Sequence, residues 1–456
     1  MTPRPDALQK SLQQATTHLR ADRLPQAETL YREILQRAPR NPEANHHLAV
    51  LLLRLQRPEE AIPLFKTAVE CAPRHPNHWL DFIDALLEVG QPEAARSVLD
   101  QGQRLGLPKP LVAEVTARLQ TARSDLATLQ DAVNNGRYPQ AERHARLLLL
   151  HHALHAPAWK LLGLSLMHQG RFGEAREPLE KAVALLPNDA ESHTLLGLAL
   201  QETRQPDAAA ECHLRALALQ PDLASALFNL GNLLQERERL TEAENRYRQL
   251  LALQPDFAWG HFQLGNTLRK RNRLAEAESA YRLALLHQGD LTTAHNNLAG
   301  VLQLQGRGVE AEACYRQLLD RHPDHADAWY NLGMLLAELR RFIEAEAVYR
   351  QALERRPDHC ATLNNLGLVL VEQHRFAEAE AAYRRVGELD PEHVGALNNL
   401  GNLLKSLARF AEAETVFAQA IRIRPEYADA HYNLGCLLQD QKKYARAEPA
   451  FRHTLT

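Results

Sequence analysis

The sequence predicts an all-α fold, a solenoid of about thirteen stacked helical hairpins, on three observations. The phrase NLGNLL begins at Asn229 and again at Asn399, 170 residues apart, which is five steps of 34. With Ala224 taken as position 1, position 8 is glycine at 163, 197, 231, 265, 333, 367, 401 and 435, with Ala299 the exception. Position 20 is alanine in every copy from Ala141 to Ala447, and position 32 is proline from Pro187 to Pro425 except at Gly289. A fixed period of this length is the mark of a repeat architecture in which each unit is one supersecondary element.

Within one period each residue class has a physical role. Leucines at positions 7 and 11, with position 4, make one stripe of a first helix. Small residues at positions 8, 20 and 27 let a second, antiparallel helix approach closely. Glycine near position 15 (Gly136, Gly170, Gly306) marks the turn, and proline at position 32 ends the second helix.

The pattern places three domains in order. Residues 1–109 hold three repeats in a different phase. Ala27, Tyr31 and Pro39 mark the first, Leu48, Ala49, Ala61, Phe65, Ala68 and Pro73 the second, and Trp79, Phe82, Leu86 and Ala95 the third. Residues 110–121 break the register; Leu111, Val115 and Leu119 lie one helical turn apart, so this joint is expected to lengthen the first helix of the next repeat. Residues 122–456 hold ten contiguous 34-residue repeats, the last incomplete.

These residues resemble the tetratricopeptide repeat, whose pattern has large-Leu-Gly, then Ala, an aromatic, Ala and Pro on this spacing. The resemblance covers nearly the whole chain and implies a right-handed superhelix with a concave surface lined by first helices. The long array with its NLGN amides is also similar to the repeat region of O-linked N-acetylglucosamine transferases and SPINDLY-like proteins.

Composition excludes other classes. The net charge of −3 gives no global attraction to nucleic acid or to an anionic membrane. No signal-peptide core is present, and the run Leu147–Leu150 is far too short to span a bilayer. Five scattered cysteines suit reduced thiols, and hence a cytoplasmic chain. No P-loop, HExxH or GxSxG motif appears, so the chain is not read as an enzyme and no cofactor is expected. His151 and His155 share a helix face, but no acidic or cysteine partner completes a metal set. His325, His359 and His393 recur at position 34 as a habit of the repeat.

On a helical wheel positions 2, 5, 6, 9, 12 and 13 fall opposite the packed stripe and line the groove. Position 6 reads Asn229, Gln263, Asn297, Asn331, Asn365, Asn399 and Asn433, an amide column suited to gripping an extended peptide backbone. The alternative is that the column is inherited scaffold. Earlier repeats carry leucine instead, with Leu161 and Leu195 at position 6 and Leu164 and Leu198 at position 9. That apolar stretch of groove calls for a cover, either a partner or the chain's own N-terminal block. Trp259 at position 2, with Phe228 and Phe262 at position 5 and Asn266 and Arg269 nearby, resembles an interface anchor; the alternative is local packing. Glutamate at position 21 and arginine at position 25, as in Glu312–Arg316, form i,i+4 pairs on a solvated face.

The function expected is a scaffold that holds extended segments of protein partners. The alternative is the substrate-recruiting arm of a larger glycosyltransferase or sulfotransferase whose catalytic part is not in this chain. A chaperone-docking clamp is disfavoured, since position 5 beside Asn232, Asn266 and Asn402 is Phe228, Phe262 and Asn398 rather than lysine. The final repeat exposes Phe451 and Leu455 without a capping helix, so a longer parent chain or self-association through this end is expected.

Overall fold

A computed structural model describes residues 5–454, with side chains from residue 8. Its described residues form 26 helices paired into thirteen hairpins, and no strand is found among them. From the fifth hairpin (Ala156–His168 and Phe172–Leu185) onward, first helices have 13 residues and second helices 14, until the last second helix, Tyr444–Arg452. Leu455, part of the expected uncapped end, lies outside the described residues. The chain divides after Leu253 into two compact units, of seven and six hairpins.

The glycine at position 8 sets the distance within a hairpin. A Cβ placed on Gly367 would stand 2.5 Å from Cε1 of Tyr383, and one on Gly333 would stand 2.5 Å from Cε1 of Tyr349. The same approach recurs with Leu179 over Gly163, His213 over Gly197 and Phe417 over Gly401. These rings and the position-20 alanines are buried throughout. The turn after the first helix is equally fixed. Position 15 is left-handed whether it is glycine, as at Gly306 (φ 76), or not, as at Glu238 (φ 58), Arg340 (φ 59) and Ala408 (φ 57). A bond from the following N–H back to the helix, such as Arg409 N to Leu404 O at 2.9 Å, closes the turn.

Where position 4 is tryptophan or histidine, that side chain ties its hairpin to the end of the previous one. Trp329 Nε1 donates to Pro323 O at 2.8 Å, and His261, His193 and His431 place Nε2 2.7–2.9 Å from the corresponding proline carbonyl. The histidines of position 34 are helix N-caps: His325 and His393 accept from the N–H three residues on. His155 does the same and is buried, so it helps to start a helix instead of facing a ligand.

In the first unit the helix Lys109–Asn134 runs unbroken through residues 110–121. One face serves two cores in succession: Val115 and Leu119 join the core of hairpins one to three, and Leu129, Ala132 and Val133 that of the hairpins after it. Twelve extra helical residues amount to about 18 Å of rise, close to one helix length. This brings the turn of the third hairpin level with the loop between the fourth and fifth. There Val89 packs with Leu154, Ala156 and Leu185, and a Cβ on Gly90 would stand 2.7 Å from Cε1 of His155.

His213 occupies the ring position fully buried, and neither ring nitrogen has a partner among the described residues. Burial lowers its pKa to about 4, and burial likewise lowers His155 and His78 to about 4. The folded state resists a proton that the unfolded chain accepts near pH 6.5. Stability of the first unit should be full above about pH 6.5 and fall as the pH drops toward 4. A His213→Phe variant should lose less over that window in thermal melts, and an unchanged acid profile would contradict this account. A second prediction separates two glycines. Gly367→Ala should destabilise by about 1–3 kcal/mol through overpacking against Tyr383. Gly387→Ala, in open space, should instead stabilise its helix by about 0.5–1 kcal/mol, as denaturant midpoints will show.

Candidate functional site: the face of the first helices

Apart from the pair Pro76–Glu88 and Lys109–Asn134, successive first helices pack on one another within each unit, whereas no contact of comparable extent joins second helices among the described residues. Each stack thus curves with its first helices inside. The position-6 amides of the second unit lie on this inner face, all half-buried. They are bonded from hairpin to hairpin. Asn331 Nδ2 donates to Asn296 Oδ1 at 2.9 Å, Asn399 Nδ2 to Asn364 Oδ1 at 2.9 Å, and Asn433 Nδ2 to Asn398 Oδ1 at 2.9 Å. Asn365 donates to the Tyr330 hydroxyl at 3.3 Å, and Asn297 to Asn266 Oδ1 at 2.8 Å. Asn266 also accepts from the Tyr281 hydroxyl at 2.7 Å and donates to Gln263.

The column is therefore a ladder: position 5 of one hairpin accepts from position 6 of the next in four rungs, and position 9, Asn266, accepts in the fifth. Each ladder bond uses one of the two N–H donors of an amide. The acceptors at position 5 were not singled out from sequence, although the doublets Asn296–Asn297, Asn364–Asn365 and Asn398–Asn399 were open to view. Asn229 belongs to the first unit and is half-buried there.

The aromatic group separates on inspection. Trp259 is 42% exposed and stands edge-on to Phe262 at 5.5 Å. Phe262 is buried and packs near Tyr281, so it supports Trp259 and does not face the groove. Arg269 is exposed and Asn266 half-buried. Phe228 lies in the first unit, half-buried near Tyr247. Of the four leucines expected as an apolar groove, Leu161 is buried, and Leu164, Leu195 and Leu198 are half-buried against the core of their own hairpins. The N-terminal block touches the chain at Leu154 and Leu185 instead.

Between the tenth and eleventh hairpins the inner face holds a shallow cavity of about 320 Å3, lined by Met334, Leu368 and Val371 with Asn365 beside them. The outer side carries an ion-pair lattice that sequence spacing did not reveal. Arg341 bridges Glu312 of the preceding hairpin at 2.5 Å and its own Glu344 at 2.7 Å, while Glu312 also holds Arg316 at 2.9 Å. The Arg341 guanidinium keeps the Glu312 carboxyl below the usual range. Arg307, Arg375 and Arg409 repeat the pattern. The position-21 glutamates are thus interhairpin ties as well as i,i+4 partners.

The hairpin stack and its inner face define a repeat scaffold for protein interaction, with repeats through all the described residues. A tetratricopeptide repeat family model matches residues 12–76, 126–190, 194–244, 228–290, 296–359 and 399–455, and two others match 52–119 and 358–426. The chain belongs to the tetratricopeptide repeat family. A comparison with curated proteins returned no match. Among solved structures, yeast Tom70 is similar at 15% identity over 98% of this chain and 96% of that one, with a TM-score of 0.41. The P58(IPK) TPR domain is similar at 16% identity over 88% and 99%, TM-score 0.38. YrrB, a TPR protein with an unusual peptide-binding site, is similar at 22% identity over 41% and 97%, TM-score 0.35. The likeness concerns the hairpin fold and extends no further. Among the described residues no helix is long and apolar enough to cross a membrane.

If the ladder ties hairpins together, Asn399→Ala should lower stability by about 0.5–1.5 kcal/mol, the net worth of one hydrogen bond. Amide exchange in Val394–Ser406 and Cys360–Glu372 should speed up, and a variant with unchanged exchange would remove the ladder from the stability account.

Proposed function

We propose that the inner face of the second unit binds extended segments of partner proteins, using the amides from Gln263 to Asn433. The observation that carries this reading is the ladder itself. A side-chain amide normally loses rotamer freedom when it grips a ligand, and that loss weakens binding. Here the five asparagines from Asn297 to Asn433 are each already oriented by a bond to the preceding hairpin, and Gln263 by its bond to Asn266. The capacity of each asparagine beyond that one N–H suits a peptide backbone, which offers both donors and acceptors and has the same groups whatever its sequence.

Trp259 supplies the second element, an exposed ring held upright by the buried Phe262. Large rigid aromatics supply contact area at low entropic cost. In this reading the amides give affinity common to many partners, and Trp259, with Arg269 on the same helix, gives selectivity.

Replacing Asn297, Asn331, Asn365 and Asn399 together by alanine should weaken capture of many different partners to a similar degree, with helicity kept in circular dichroism. Unchanged capture would leave the ladder a purely structural device. Trp259→Ala should cost about 2 kcal/mol of binding for some partners and little for others. An equal loss of folding stability with affinity intact would assign the ring to packing.

A further inference from the structure

The cavity between Ala326–Glu338 and Cys360–Glu372 coincides with a departure from the repeat. Along the second unit position 9 reads Asn266, Gly300, Met334, Leu368, Asn402 and Cys436. Position 12 reads Arg269, Gln303, Ala337, Val371, Lys405 and Gln439. Only the tenth and eleventh hairpins are apolar at both. Within the second unit the same two hairpins alone carry glutamate at position 13, Glu338 and Glu372. Composition and shape thus change together at one place on the inner face.

The cavity has three parts. Phe342 and Tyr349 are at its back, and Tyr349 is buried. Met334, Ala337, Leu368 and Val371 make apolar walls, with Leu368 44% exposed although it sits in mid-helix. Glu338 and Glu372 form an exposed rim. Glu338 Oε2 accepts from Gln303 at 2.6 Å, and Glu372 Oε2 accepts from Arg340 at 3.2 Å. Two carboxylates against one guanidinium leave the rim negative. A volume of about 320 Å3 is at the bottom of the range for small-molecule pockets and suits one large side chain. The acidic rim disfavours phosphate-bearing ligands.

We propose that this cavity is a side-chain pocket for a protein segment of defined chemistry. Its occupant is one large aliphatic or aromatic residue of an extended segment that also carries lysine or arginine within about three positions. The apolar side chain covers Leu368 and Met334, the basic one meets Glu338 or Glu372, and Asn365 at the pocket edge holds the backbone between them. The proposal rests on the groove reading above and adds what that reading lacks, a sequence preference.

A random twelve-residue peptide library displayed on phage, selected on the full chain, tests it. The enriched peptides should share a Leu, Ile, Met, Phe or Trp with a nearby Lys or Arg. As synthetic fluorescent peptides they should bind the Leu368→Asp variant at least about tenfold more weakly. Leu368 is exposed, so that variant should keep its helicity; if it does not, the rim decides. A Glu338→Lys, Glu372→Lys double variant should weaken the same peptides and prefer versions in which the basic residue is replaced by glutamate. Peptides that are lost with the four asparagine changes but indifferent to both pocket variants would overturn the pocket and leave the groove. Failure to enrich any peptide over a carrier-protein control would overturn both.

Discussion

From the fifth hairpin onward the stack depends on one steric contact, the seating of a large side chain on the glycine of the facing helix. Tyr383 on Gly367 and Tyr349 on Gly333 leave no room for a Cβ in the present arrangement. That contact sets how near the two helices of a hairpin lie. Their nearness decides where the next first helix falls, and so whether an amide of one hairpin reaches an acceptor of the one before. The ninth hairpin shows the tolerance: Ala299 replaces the glycine while Tyr315 stays buried. One methyl group is accommodated there. A branched side chain would not be, because interiors at crystal-like density have no slack of that size.

The part of the fold legible in sequence is the part that repeats within one hairpin. Glycine, alanine and proline at fixed spacing state the helix contacts and ends directly. The turn was legible only at copies with glycine. Arg340, Glu238 and Ala408 adopt the same left-handed conformation because both flanking helices impose it, and nothing in those residue types announces it. Contacts between hairpins were less visible still. Arg341 reaches Glu312 across 29 residues, and Asn331 reaches Asn296 across 35. Those partners depend on the offset between stacked helices, which no single helix wheel contains. The same blindness made Phe262 look like a groove residue, since a wheel cannot show that Trp259 lies over it.

The amide column has two meanings that sequence alone had set against each other, scaffold or site. The ladder shows the scaffold role outright, and the same bonds orient the groups that a site would use. The NLGN phrase therefore says less about a particular activity than its likeness to transferase arms implies, because any stack of this kind gains from the tie. What distinguishes this chain lies in the exceptions, among them Trp259, the apolar Met334–Leu368 stretch and the long helix Lys109–Asn134.

For a segment bound as proposed, the ladder would also act as a ruler. Adjacent packed helices lie about 8–10 Å apart, whereas an extended strand advances about 3.3 Å per residue. One rung therefore spans about three residues of a bound segment. A β-strand turns alternate residues to opposite sides, so an odd step would offer successive rungs opposite faces of it. A polyproline II helix repeats every three residues at about 3.1 Å each. Such a helix would offer every rung the same face, and the groove is thereby commensurate with one backbone conformation and out of step with the other.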